Sequence, residues 1–222
     1  MDNIIFIDFS SSSCAICLFK VKEKEYNYYC FFNHHEISKN KTYDLRKNEV
    51  MKLIWDNVNF KFFFRKSMSR PKGNPTEFSV KNITDCYNIS KEFKDFFNEI
   101  TKDLDMKKTI IGWEDYPVGI KSNNQLELAE LTMSCKKELF EYKDRLRFYL
   151  PQDVKGMTGN GNAKKEEMLL AFVKKNIKNN LHNIIASNYK KFILSKGKVK
   201  KPIEDIVDSF WGVQLIRKEL DL

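Results

Sequence analysis

The chain has 222 residues, 42% of them hydrophobic and 14% aromatic, which supports a packed core and excludes a globally disordered chain. Its 39 basic and 30 acidic residues leave a formal charge of +9, which points to a polyanionic partner, nucleic acid foremost, with a solubilising surface as the plainer alternative. No run reaches the roughly 18 uncharged apolar residues of a membrane span, no leader precedes the first strand-like run, and five scattered cysteines suit a reducing, cytoplasmic compartment.

Residues 3–9, 13–21 and 26–33 read as three strands rich in Ile, Phe, Tyr, Val and Cys. The short breaks between them, Ser10–Ser12 and Lys22–Glu25, suit antiparallel hairpins. Cys14 and Cys17 form a CxxC, but residues three apart on a strand point to opposite faces, so buried structural thiols are expected. His34 and His35 have no zinc-spaced partner. The stretch 34–88 reads as an insertion or extended connection, with a helical turn at Val50–Trp55, a short buried strand at Phe60–Phe64 and a loop at Arg70–Pro75.

From Ser90, a candidate N-cap, Phe93, Phe96, Phe97 and Ile100 recur at helical spacing. Thr109–Trp113 is a short buried strand ended by Glu114-Asp115. Asn123–Tyr142 predicts a long helix on Leu128, Leu131, Cys135 and Leu139. A strand at Leu146–Leu150 follows, then a turn at Gly159-Asn-Gly161 and a helix capped by Asn162 that runs to about Lys178. Leu181–Leu194 reads as helix, Lys196–Lys201 as a basic loop, and the last helix runs from Pro202 to about Leu220. The order predicts a single α/β domain over 1–222. Three antiparallel strands come first and crossover strands follow.

The carboxylates carry the chemistry. Asp8 stands alone in the apolar run IIFIDF, where burial is costly without compensation. Glu114 ends the fourth strand, and ligands gather beyond the carboxyl ends of strands in open α/β sheets. Asp205 and Asp208 are three apart in IEDIVDSFW and share a helix face. If the first and fourth strands are parallel neighbours, all four acids meet at one sheet edge, where repulsion would raise their pKa values unless cations intervene. Hard oxygen ligands suit Mg²⁺ or Mn²⁺. The plainer readings are an ordinary strand-end aspartate and solvated acids at a helix N-terminus.

These residues resemble a known pattern. A strand Asp (IFIDFSSSS), a later strand Glu (IIGWEDYP), Asp-x-x-Asp on a helix (IEDIVDS), and LPQDVKGMTGNGNAKKEEM between them resemble the RuvC-like Holliday-junction resolvases of the RNase H-like superfamily. The resemblance covers about 8–33 and 90–220. It implies an RNase H-like fold with a mixed five-stranded sheet, three strands antiparallel then two parallel, flanked by helices. It also implies cleavage of four-way DNA junctions with two Mg²⁺ ions, for which Mn²⁺ can substitute.

Asp8, Glu114, Asp205 and Asp208 would be the metal ligands, and Lys155 and Lys165 would match family lysines near the scissile phosphate, Lys165 with a catalytic role. Gly159, Asn160, Gly161, Asn162 and Lys164 would lie along the DNA backbone. Where the family often has glycine after the first Asp, this chain has four serines. Composition rich in lysine and asparagine suits a viral or phage member working in a host cytoplasm.

Further basic residues would steer DNA: Arg65, Lys66, Arg70 and Lys72 in the insertion, and Lys196, Lys198, Lys200 and Lys201 before the last helix. Phe62–Phe64 or Tyr116 would stack on unpaired bases, or Phe62–Phe64 would be core. A junction has two-fold symmetry, so paired nicks call for a homodimer. The helix 123–142 is its candidate face by resemblance, although the same apolar residues fit the chain's own core. Two other readings stand beside this one. The first is a nuclease of the same fold for flaps, other branched DNA or RNA–DNA hybrids. The second is a non-catalytic DNA-binding module.

Overall fold

The structure is a computed structural model that describes residues 1–10, 13–33, 49–63, 75–115 and 123–222. Six strands form one sheet: β1 (Asn3–Phe9), β2 (Ser13–Lys20), β3 (Glu25–Asn33), β4 (Asn59–Phe63), β5 (Thr109–Glu114) and β6 (Leu146–Tyr149). Their order is β4-β3-β2-β1-β5-β6. β1, β2 and β3 pair antiparallel, as expected for hairpin strands, and β5 and β6 add parallel to β1 and to each other.

The expected five strands are thus joined by a sixth. Within the segment read as an insertion, β4 pairs parallel to the outer edge of β3. Its burial is that of an edge strand: only Phe63 is fully buried. Phe60 and Phe62 are half-buried and stack on Trp55, with ring centroids 4.7 and 5.5 Å away. Phe64, Arg65, Lys66, Arg70, Lys72, His34, His35 and Tyr116 lie outside the described residues.

β1 is apolar on both faces because it is the central strand. Its residues alternate between two cores. Ile4 and Phe6 face the helices α4 (Pro151–Gly156), α5 (Lys165–Val173), α6 (Asn180–Phe192) and α7 (Ile203–Glu219). Ile5, Ile7 and Phe9 face α2 (Pro75–Thr101) and α3 (Asn123–Glu138). Cys14 and Cys17 fall in opposite cores, as the strand period requires, and all five cysteines are free and buried. A short α1 (Glu49–Trp55) precedes β4 and contributes Ile54 to the first core.

Several boundaries differ from those predicted. α2 begins at Pro75, so Ser90 is a buried mid-helix residue whose hydroxyl donates to the Tyr87 carbonyl, and it caps nothing. The polar surface of the helix before Ser90 hid its first half. α3 stops at Glu138 and gives way to a 3₁₀ segment, Phe140–Arg145. Its Leu131, Cys135 and Leu139 are buried in the core shared with α2. After β6 the chain forms α4, which the sequence reading did not foresee. Asn162 does not cap α5. Its backbone N–H donates to the Asn160 side chain at 2.9 Å, and the helix starts after Lys164, whose N–H donates to Glu167 at 2.8 Å.

Glycine decides how closely α7 sits on the sheet. A Cβ on Gly212 would stand 2.2–2.3 Å from three carbons of the Phe6 ring, and one on Gly112 of β5 would stand 2.6 Å from both Phe6 and Ile216. The Phe6 ring therefore lies between two bare backbones, and α7 rests directly on β1 and β2. That close seat sets the height of Asp205 and Asp208 above the strands. Trp211 anchors the same helix sideways through an indole N–H bond to the Met168 carbonyl at 3.2 Å.

Candidate active site

In the parallel pairing of β1 with β5, Ile7 stands opposite Trp113, so the next pair in that register is Asp8 and Glu114. Both follow residues of the α2/α3 core, so both side chains project to the α7 face. α7 runs over that edge and presents Asp205 and Asp208 from its first turns. The expected condition, parallel neighbouring strands, is thus met: Glu114, Asp208 and Asp205 all act electrostatically on Asp8, and Asp208 and Asp205 on Glu114.

Burial separates this arrangement from the plainer one. Asp8 is 8% exposed, Asp205 3% and Asp208 2%. Solvated helix-start acids would be open to water. Burial, then Glu114, Asp208 and Asp205, push the Asp8 carboxyl well above the usual carboxylate range, against a lowering pull from Lys165. Burial and Asp208 raise Glu114 to about 7, although Lys165 and Lys155 oppose the rise. Burial raises Asp208 to about 6 despite its ion pair with Lys165.

Two ammonium groups stand among the acids. Lys165, the first residue of α5, pairs with Asp208 and, at 3.3 Å, with Glu204. Burial favours its neutral form, but Asp208, Asp8 and Glu204 outweigh that, and its pKa is raised. Lys201 pairs with Asp205 at 3.1 Å and donates to Ser10 Oγ at 2.9 Å. Its pKa is raised too, because Asp205, Glu204 and Asp8 outweigh burial. Ser13, fully buried at the start of β2, donates its hydroxyl to the other oxygen of Asp205. One oxygen of Asp208, Oδ1, is buried with no hydrogen-bond partner.

Among the described residues no three His, Cys, Asp or Glu side chains converge tightly enough to hold a metal ion as they stand. The lysines take part of the neutralising role that a cation would otherwise fill. The donor set nevertheless fits a hard divalent cation: it is carboxylate oxygen throughout, it is strained by mutual repulsion, and it includes the orphaned Asp208 oxygen.

The other expected residues divide by position. Lys155 lies on α4, near enough to act on Glu114. Gly159, Asn160, Gly161, Asn162 and Lys164 form an exposed turn before α5, and Gly159 has a φ of +94° that favours glycine. Lys198 is exposed and Lys200 half-buried. Lys201, expected on the DNA-binding surface, turns inward to Asp205, because a buried carboxylate four residues on offers it a partner. Asp115 lies outside the acid set and pairs with Lys136 at 2.7 Å. Sequence reasoning missed Ser10, Ser13 and Glu204. The run of four serines after Asp8 was the available signal, whereas the Ser13–Asp205 bond spans 192 positions and leaves no local trace.

Three antiparallel strands continued by two parallel ones, in the order β3-β2-β1-β5-β6, define an RNase H-like α/β fold, with β4 as an added edge. The chain is similar in structure to Thermus thermophilus RuvC, with 11% identity and a TM-score of 0.47 over 98% of this chain and 96% of that one. It is similar also to T. thermophilus RuvC in complex with a Holliday junction substrate, with 11% identity and a TM-score of 0.48 over 99% and 96% of the two chains. No protein-family model and no curated protein matches the sequence.

Proposed function

We infer that the protein is a metal-dependent endonuclease that cuts branched DNA, with the four-way junction as its substrate and a homodimer as its working form. The observation that carries this is the burial of Asp8, Asp205 and Asp208 beside Glu114 at one sheet edge. A binding module has no use for a set of buried, mutually repelling carboxylates. The junction as substrate rests on the Val154-Lys155 to Lys165 segment and the spacing of the acids, which resemble the resolvase pattern.

Asp8, Glu114 and Asp208 would hold the divalent cation, with Asp205 for a second. Bound there, such ions lower the pKa of water and stabilise charge on phosphodiester oxygens. The chain supplies the rest. The backbone N–H groups of the Gly159–Asn162 turn and the Lys164 side chain would orient the DNA backbone. Lys165 and Lys155 would stabilise charge on the phosphate beside the acids. The exposed Lys196 and Lys198 would draw the polyanion in. The paired nicks of a two-fold junction would come from two copies related by a two-fold axis.

The test compares a mobile four-way junction, a flap and an RNA–DNA hybrid, each with wild type and Asp8→Asn in Mg²⁺. Preferential paired nicking of the junction by wild type alone supports the reading. Preference for the flap or hybrid transfers the activity to another substrate, and binding without cleavage of any of the three refutes the enzyme. Light scattering on the free protein checks the dimer.

A further inference from the structure

The two aspartates of α7 are not equivalent. Both oxygens of Asp205 are engaged, one by the Lys201 ammonium at 3.1 Å and the other by the Ser13 hydroxyl. Lys201 is itself seated, on Ser10 Oγ at 2.9 Å and Ser13 Oγ at 3.5 Å. Ser10 and Ser13 brace each other, since the Ser10 hydroxyl donates to the Ser13 carbonyl at 2.8 Å. Asp208 differs: Lys165 engages one oxygen, while Oδ1 is buried and unpartnered. A cation arriving at this edge meets an open acceptor at Asp208 and a tethered ammonium at Asp205.

We propose, resting on the nuclease reading, that Lys201 is a positioning residue that withholds Asp205 from cation binding until bound nucleic acid draws its ammonium away. The free protein then takes one divalent ion, whose charge draws Asp8, Glu114 and Asp208 closer together than they stand without it. A second ion binds at Asp205 only with nucleic acid present. An ammonium and a divalent cation compete for the same carboxylate oxygen, and a phosphate offers the displaced ammonium another anionic partner. Occupation by nucleic acid and by the second ion are therefore coupled, each raising the affinity for the other. Lys196 and Lys198, exposed in the loop that leads into Lys201, are cations open to an approaching phosphate backbone.

The experiment titrates the full chain with Mn²⁺ alone. It reads bound equivalents by calorimetry and free Mn²⁺ by electron paramagnetic resonance, so no turnover is needed. Wild type is expected to bind one equivalent and Lys201→Met two, while Lys201→Arg, which keeps the charge, stays at one. Ser10→Ala with Ser13→Ala keeps the ammonium but loosens its seat, and is expected to admit the second ion more weakly. This pair tests the idea even if Lys201→Met fails to fold. With a four-way junction present, and the Mn²⁺ taken up by the junction alone subtracted, wild type is expected to reach two. Equal stoichiometry and affinity in wild type, Lys201→Met and the serine pair would overturn this inference and leave the nuclease reading intact. No Mn²⁺ bound by any of them, with or without the junction, would overturn both.

Discussion

Replacing Gly212 with alanine tests whether the close seat of α7 builds the acid cluster. The new Cβ would lie 2.2–2.3 Å from the Phe6 ring, about 1.5 Å inside ordinary van der Waals contact. The ring has no room to retreat, because it is fully buried and has Gly112 close on the β5 side. Overpacking costs about 1–3 kcal/mol, and an overlap with a ring that cannot retreat falls in the upper part of that range, about 2–3 kcal/mol. Alanine in a helix interior gains back about 1 kcal/mol over glycine. The expected outcome is a net loss of about 1–2 kcal/mol, read as a lower denaturant midpoint with unchanged slope. The buried Trp113 and Trp211 serve as fluorescence reporters. Shrinking the ring with Phe6→Leu should relieve the clash, so the double variant should be more stable than the two single effects summed, by about 1 kcal/mol. Nuclease activity should fall with Gly212→Ala alone, since α7 carries Asp205 and Asp208 away from the strands. A variant as stable as wild type, or more so, would show that the helix does not depend on this contact.

Asp8→Asn is expected to lower junction cleavage by at least about a hundredfold, for the several kcal/mol that a metal-held group supplies, with junction binding retained. Nicking at the wild-type rate removes Asp8 from the site. The metal-free protein should lose stability as pH rises. Glu114 and Asp208 titrate near 7 and 6 when folded, above their ordinary 4.5 and 3.8, so their contribution is intact in acid and is lost as pH climbs through that window. Melting at pH 5 and pH 8 measures this. Asp208→Asn should flatten the difference, and Mg²⁺ should raise the melting temperature more at pH 8. Junction affinity should fall steeply with salt, by the release of counterions from phosphates. A flat dependence would make the +9 charge incidental.

The strands of the sheet centre were legible because each carries a local signal. Five apolar residues around one acid, in the seven-residue stretch NIIFIDF, mark a buried strand. Asp8 announced itself by standing in that run, and Asp205 and Asp208 by their spacing on a helix that docks apolar residues at threes and fours. The first half of α2 escaped because its polar surface leaves exposed Val80, Ile83 and Tyr87 without a core pattern. β4 joined the sheet through the unpaired edge of β3, a partner no local pattern names.

The sequence by itself determined which residues bear charge in apolar surroundings, how strands alternate and helices repeat, and hence that four acids needed an explanation. Only the tertiary structure decided that Glu114 stands beside Asp8, that glycine lets α7 descend far enough to bury its aspartates, and that Ser13 and Lys201 close on one of them. Periodicity is a property of neighbours along the chain and is written locally. The acid cluster depends on strand order, helix height and contacts between residues up to 192 positions apart, and those are fixed only when the whole core packs.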